Sequence, residues 1–250
     1  MEFSDDEVER YSRQLVLAEV GGQGQQKLRA AKVLIVGCGG VGGPVALYLA
    51  AAGVGQITLI DGDRVALSNL HRQIQFATVE VGDEKTEATA GAVKAINPNV
   101  RVFQIFAPID ADNAPTWIAE HDLVIDGTDD FATRLLVSDT CTMLDKPLVS
   151  GALGRWTGQV GVFTGKPCYR CLVPDVPPDA ETCQRVGVVG ALAGVIGSMA
   201  ALEAVKLIVG AGEPLAGRLL IYDGLAGAAR TVRVAADPTC RACAGLGHDG

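Results

Sequence analysis

Lys32-Val33-Leu34-Ile35-Val36-Gly37-Cys38-Gly39-Gly40-Val41-Gly42-Gly43-Pro44 is the stretch that decides the fold. Its first five residues are a continuous apolar run of strand length, which suits a strand buried on both faces. The glycine cluster that follows contains G-x-G-x-x-G, with Pro44 opening an Ala-rich helix to about Gly53 and a second strand at 56–60. Strand, glycine turn and helix in that order form a βαβ unit whose turn lets backbone approach a phosphate at a helix N-terminus. Asp61 follows Gly42 at the end of the second strand, where a carboxylate can accept hydrogen bonds from ribose hydroxyls. Gly37, Gly39, Gly40, Gly42 and Asp61 are therefore the expected nucleotide contacts.

Working outward, Ser4-Asp5-Asp6-Glu7 reads as a capping box for a helix to about Val20, ended by Gly21-Gly22, with a second short helix behind it. Downstream, helices at about 84–97, 113–119 and 131–144 alternate with strands at 100–106, 123–126 and 147–150. This is an α/β, Rossmann-like doubly wound sheet. Past Gly158 the pattern changes to antiparallel strands at 159–164, 218–222 and 231–234 around one long helix at 188–209. The Pro- and Asp-rich run at 173–179 is expected to be a mobile loop. The 250 residues admit a single unit: N-terminal helices at 1–31, a nucleotide-binding half at 32–151, and an antiparallel, partner-binding extension at 152–250.

With 48% apolar and 20% charged residues the chain is neither a disordered coil nor a disulfide mini-scaffold. Its 21 basic and 29 acidic residues leave a net charge of −8, so nucleic acid is not an expected partner and any phosphate site must be a local cluster. The acidic start is unlike a secretory signal, and Glu203 and Lys206 interrupt the stretch most like a membrane span. A soluble, cytoplasmic protein without membrane contact is the expectation.

The glycine turn alone serves NAD as well as ATP. Asp63, Asn69, Arg72, Gln73 and Lys85 are grouped behind the ribose acid as further nucleotide contacts, and the amides and two cations among them are what a triphosphate needs and a nicotinamide does not. The alternative is a solvated loop with incidental cations. Asp126-Gly127-Thr128-Asp129-Asp130 ends the fourth parallel strand, where Thr128 and Asp129 can meet the nucleotide and carboxylates can hold Mg2+. Capping of the next helix by one of these acids is compatible with that role.

Cys168-x-x-Cys171 and Cys240-x-x-Cys243 supply four thiolates, the set that structural Zn2+ requires. Such a site would pin the C-terminal tail. Cys38, in the glycine turn, and Cys141, on a helix, read as small buried hydrophobes. Cys183 stands between the loop and the long helix with Arg185 near enough to favour a thiolate, the alternative being an incidental exposed thiol.

Together these residues resemble the ThiF/MoeB adenylyltransferases, relatives of the ubiquitin-activating enzymes, over about 9–244. The matching stretches are Arg10-Tyr11-Ser12-Arg13-Gln14, the glycine loop, Asp61 with 69–73, Lys85, Thr128-Asp129, both cysteine pairs, and 194–198 with 203–206. The resemblance implies ATP-dependent adenylation of the C-terminal glycine of a small ubiquitin-like sulfur carrier ending in Gly-Gly, with pyrophosphate released. The carrier of molybdopterin synthase is the leading expectation and that of thiamine synthesis the second. A homodimer is also implied, with Arg13 reaching the neighbouring subunit's triphosphate. Arg72, Lys85 and Arg13 would spread the charge of pyrophosphate and Asp129 would carry Mg2+.

A carboxylate is already ionised at neutral pH, so none of the histidines needs a catalytic role. Asp130 stands where the family pattern usually has Asn. The chain stops soon after Cys243, so sulfur is expected from a separate donor, a cysteine desulfurase or rhodanese-like protein. Some relatives link a cysteine at the position of Cys183 to the carrier and others work without it, which leaves a later sulfur step open there. A tRNA-modifying dehydratase, a silent carrier-binding scaffold and an NAD dehydrogenase are the competing readings. The acidic balance opposes the first, and retention of Arg72, Lys85 and Asp129 opposes the second.

Overall fold

A computed structural model describes residues 3–178 and 187–246. Helix α1 (Asp5–Leu15) carries the expected capping box, with Glu7 N–H donating to Ser4 Oγ at 3.2 Å and Ser4 N–H to Glu7 Oε2 at 3.0 Å. It ends at Leu15, not near Val20, and Gly21-Gly22 begin α2 (Gly21–Ala30) instead of ending α1. The reversal between the helices uses a positive φ of 53° at Gly21, so the glycine serves the exit of the turn.

Five parallel strands follow: β1 (Lys32–Val36), β2 (Gln56–Ile60), β3 (Arg101–Ile105), β4 (Leu123–Asp126) and β5 (Leu148–Leu153). The crossovers carry α3 (Gly42–Ala52), α4 (Lys85–Ile96), α5 (Ala114–Ala119) and α6 (Phe131–Met143). Beyond them come β6 (Thr157–Phe163), α7 (Gly190–Val209), β7 (Arg218–Asp223) and β8 (Ala228–Arg233). All eight strands form one sheet in the order β3-β2-β1-β4-β5-β6-β7-β8, antiparallel from β5 onward. The order reverses between β1 and β4, the switch point where such sheets open a ligand crevice.

Alternation along β1 shows how both faces are filled. Val33 and Ile35 join the core under α2, α3, α4 and α7, while Leu34 and Val36 join the core under α5 and α6. The long helix α7 lies against α3 and over β5 and β6. It is long and apolar enough by length and composition to cross a bilayer, with mean hydropathy 1.8, but half of that window is buried inside the fold. Glu203, the charge that interrupts it, is buried and held by Lys206 Nζ and Leu215 N–H, each at 2.7 Å. It is a core helix. Residues 173–178 contain no helix or strand, as expected.

His121, two residues past the end of α5, is buried, with Nδ1 at 2.6 Å from the Trp117 carbonyl and Nε2 at 2.7 Å from Thr58 Oγ1. Nδ1 then donates and Nε2 accepts the Thr58 hydroxyl, a pairing that only neutral imidazole provides. Burial holds its pKa below the ordinary histidine value. Unfolded chains therefore take up the proton first, so stability is complete above about pH 6.5 and falls as pH drops below it. Urea midpoints are expected to decrease between pH 7.5 and 5.5, and less so in His121→Asn, whose amide keeps the bond to Trp117. Equal pH dependence in both proteins would refute this.

Candidate nucleotide site and metal centre

The two turns at the switch point interlock. Gly37 has φ +87°, and a Cβ there would lie 3.1 Å from the Gly127 carbonyl. A Cβ on Gly42 would sit 1.9 Å from Gly37 O, so glycine is required for the turn to close. Helix α3 starts at Gly42 with no side-chain cap; Gly43 N–H is taken by Gly39 O at 3.0 Å and Pro44 has none, so the Gly42 amide is the first-turn donor without a bond among the described residues and can meet a phosphate. Gly42→Ala is expected to cost at least about 3 kcal/mol and to remove nucleotide binding, because relief of this overlap opens the turn. Chemical denaturation with ATP titration reads both; a variant binding ATP normally would contradict it.

Asp61, at the end of β2, accepts Cys38 N–H at 2.7 Å and Asp63 N–H at 2.8 Å, one on each carboxylate oxygen. Lone pairs remain on both oxygens for hydroxyl donors. Burial pushes the Asp61 carboxyl above its ordinary range, while Lys85 and the two amides pull it back. Lys85, the first residue of α4, is nearly buried and reaches Asp63 Oδ2 at 2.7 Å. Asp63 is exposed, so a stronger anion can displace it from the ammonium.

The segment after β2 folds back over the glycine turn. Asn69 Oδ1 accepts Ala66 N–H at 3.2 Å, and Arg72 Nη1 donates to Ser68 O at 3.0 Å and to His71 Nε2 at 2.9 Å. His71 is thus a contact within the loop. A Cβ on Gly40 would lie 3.5 Å from Arg72 O and 3.1 Å from Ala193 Cβ of α7, which brings α7 to the same rim. Gln73 is buried there, and its Oε1 has no partner among the described residues. An orphaned acceptor beside a glycine turn fits a ligand that brings donors.

The three acids after β4 divide their work. Asp126 is fully buried, accepting Thr128 N–H (3.0 Å), Thr128 Oγ1 (2.6 Å) and Ser150 Oγ (2.8 Å), with Arg134 Nε 3.5 Å away. Asp130 caps α6, its Oδ1 accepting Thr133 N–H at 2.8 Å. Asp129 is exposed and makes no hydrogen bond or ion pair among the described residues, leaving it the open carboxylate.

Arg13 is not brought to this rim within its own chain. Its neighbours Tyr11 and Gln14 are fixed at the opposite end of α3, with Gln14 Nε2 donating to Ala52 O at 3.1 Å and Tyr11 against Gly53. Arg13 itself is exposed. Cys183 lies outside the described residues. Cys38 and Cys141 are buried, and burial pushes both thiols far above their ordinary range, so neither serves as a nucleophile.

Sequence reasoning missed two residues. Gln75 Nε2 donates to Cys38 O at 2.9 Å and Gly39 O at 3.3 Å, locking the glycine turn from outside; its nearness to Gln73 was the only signal. Arg134, buried on α6, donates to Thr128 O, Gly151 O (3.2 Å) and Ser150 Oγ (3.4 Å). A cation in a helix face otherwise bound for the core was its sequence signature.

The cysteine pairs converge as expected. Their four Sγ atoms lie within 4.8 Å of one another, with Cys168–Cys240 and Cys171–Cys243 at 3.5 Å. Tetrahedral zinc with Zn–S near 2.3 Å needs S–S separations of about 3.8 Å, so the donor set fits zinc and leaves no open position. Asp237 N–H points at Cys171 Sγ at 3.4 Å, the kind of amide–thiolate contact that accompanies such sites.

The ThiF family model matches residues 11–242. The chain is 43% identical over 252 residues to the sulfur carrier protein adenylyltransferase of Thermus thermophilus, covering 97% of this chain and 93% of that protein. It is 45% identical over 243 residues to the adenylyltransferase and sulfurtransferase MOCS3-1 of Zea mays, covering 95% of this chain but 52% of that one. Relatives of the MOCS3 kind are thus spanned over about half their length. Among solved structures, E. coli MccB with ATP superposes with a TM-score of 0.82 at 25% identity, over 94% of this chain and 74% of that one. PaaA superposes with a TM-score of 0.79 at 25% identity, over 93% and 75%. Since the matched span takes in most of the chain, the nucleotide rim and three of the four clustered cysteines included, the chain belongs to the ThiF family.

Proposed function

We propose that this chain is an adenylyltransferase that uses ATP to activate the C-terminal glycine carboxylate of a small ubiquitin-like sulfur carrier. The observation that carries the reading is that an uncapped helix start after β1, the Asp61 carboxylate after β2 with buried Lys85 joined to Asp63 beside it, and Asp129 after β4, unpartnered among the described residues, gather at the carboxyl ends of adjacent parallel strands. The Thermus thermophilus and Zea mays relatives are, by their names, adenylyltransferases, the first acting on a sulfur carrier protein and the second also a sulfurtransferase.

In this reaction a carboxylate oxygen of the carrier attacks the α-phosphorus of ATP, the α–β bridging bond breaks, and pyrophosphate leaves with the electron pair. No proton has to be removed, so catalysis reduces to positioning and charge neutralisation. Asp61 holds the ribose, the glycine turn takes the phosphates, and Lys85 exchanges Asp63 for the leaving pyrophosphate. Arg72, Asn69, Gln73 and Thr128 line the approach. Asp129 would hold Mg2+, which supplies charge neutralisation at the phosphate oxygens. The four cysteines would hold zinc as a brace.

Arg13 acts in a homodimer, reaching the triphosphate of the neighbouring subunit. Supporting this, it has no ion-pair or hydrogen-bond partner among the described residues and is remote from its own rim, and Val16 and Leu17 near it are exposed apolar residues, 78% and 49% accessible. The carrier docks against β6–β8, whose edge at the nucleotide rim exposes Trp156 and Leu225. Sulfur comes from a separate donor, a cysteine desulfurase or rhodanese-like protein. We take the molybdopterin-synthase carrier as the first substrate to test and the thiamine carrier as the second. ATP–pyrophosphate exchange is expected only when a carrier with an intact Gly-Gly tail is present. Exchange that ignores the carrier, or none with either carrier, would overturn the proposal.

A further inference from the structure

The loop of the nucleotide rim caps the start of α6 and the cysteine knuckle is fastened to the same helix, and one residue touches both. Asp129 has no side-chain partner among the described residues, which leaves the backbone from Thr128 to Asp130 to set its position. That backbone is gripped at two points: Asp130 caps α6, and Arg134 Nη2 holds the Thr128 carbonyl. The same guanidinium reaches Gly151 O at 3.2 Å, Ser150 Oγ at 3.4 Å and buried Asp126 at 3.5 Å. A planar fork with fixed donors can serve β4, β5 and the loop between them at once, which an ammonium cannot.

What covers Arg134 is the cysteine knuckle. Tyr169 and Arg170 are the two residues between Cys168 and Cys171, on a single 3-10 turn. The Tyr169 ring lies against the guanidinium, 5.9 Å from centroid to Cζ, and meets Phe163 edge-on at 5.5 Å. Arg170 Nε donates to both carboxylate oxygens of Asp139, at 2.6 and 2.8 Å, further along α6. Successive knuckle residues thereby fasten α6 at two points. Arg241, between the other two cysteines, reaches Asp175 at 2.5 Å, so the second pair holds the chain leaving the first.

We propose that Arg134 is a positioning residue for adenylation and that the metal-loaded knuckle, through Tyr169, holds it in place, so that the cysteine site governs how Asp129 is presented to magnesium. This deepens the adenylation reading and rests on it for its kinetic arm. A buried Asp126 left alone would endanger folding, so the variants are Arg134→Lys, which keeps the charge, and Tyr169→Leu, which removes the ring and keeps an apolar filler.

In the full chain, both variants are expected to raise the Mg2+ concentration for half-maximal carrier-dependent pyrophosphate exchange by about tenfold, as a displaced ligand would. The ATP concentration for half-saturation at excess Mg2+ should move less than about twofold, because the ribose and glycine-turn contacts are untouched. A structural arm needs no activity. Removing the metal from the wild-type protein with a chelator should speed amide hydrogen exchange at 127–130 by at least about tenfold, while the amides of β1 and β2 keep their protection. An unchanged Mg2+ requirement in both variants, or 127–130 exchange indifferent to metal removal, would overturn the proposal. If the protein adenylates nothing, the exchange arm still reads the coupling, so the two failures are distinguishable.

Discussion

Lys85→Ala is expected to lower carrier-dependent pyrophosphate exchange by about 10³-fold, the scale at which fixed cations on a transferring phosphoryl group act. The ammonium is almost buried at the start of α4, with its charge met at 2.7 Å by Asp63, which is 73% exposed on its side chain. In water Asp63 is hydrated at little cost, so the pair contributes no more than about 1 kcal/mol to folding. The same ammonium, facing a triphosphate in a crevice from which water is excluded, opposes charge that grows as pyrophosphate departs. Activity and stability therefore separate: a loss of about three decades in kcat beside a small shift in Tm. Lys85→Arg should recover only part, since the guanidinium is wider than the buried slot. Retention of activity within about tenfold in Lys85→Ala would mean that Lys85 only closes a salt bridge.

Loss of metal is the second large effect. Residues 234–246 contain no helix or strand; past Val234, whose N–H is held by Gly217 O, their anchors among the described residues include the cysteine cluster, the Asp237 contact to Cys171 and the exposed Arg241–Asp175 pair. Without metal, four thiols converging in a buried pocket offer only weak sulfur contacts. We expect one zinc per chain in the wild type and none in Cys240→Ser, with at least about 4 kcal/mol of stabilisation lost, the linkage value for a ligand present at a thousand times its Kd. Limited proteolysis should then cut within 234–246 before it touches the sheet. Metal analysis showing no zinc in the wild type, or equal Tm values for the two proteins, would contradict a bracing role.

The parts of the fold legible in the sequence are those where one requirement dominates. Strands β1, β2 and β4 coincide with their expected spans because each is apolar on both faces and bounded by turn residues. The glycine turn was legible because only glycine tolerates the 1.9 Å approach at position 42. By contrast, β8 begins at Ala228, ahead of the expected 231, since Ala228-Ala229-Arg230 has no strand pattern of its own and is recruited by pairing with β7. Helix α1 ends ahead of its expected boundary because glycine both ends and begins helices, depending on the turn that surrounds it, and here Gly21 begins one.

The site shows the same division. Spacing located Asp61, Lys85 and the cysteine pairs, but not which acid after β4 stays open. That depends on tertiary partners: Ser150 and Arg134 consume Asp126, the helix consumes Asp130, and Asp129 remains. Arg134 and Gln75 act on backbone carbonyls far away in sequence, and such bonds leave no motif.

The most direct test of the account is the intact mass of a Gly-Gly-tailed sulfur carrier after incubation with this protein, ATP and Mg2+. We predict a carrier heavier by one adenylate group, absent when the final glycine is deleted and absent with Lys85→Ala. A carrier of unchanged mass, while ATP is bound or hydrolysed, would contradict it.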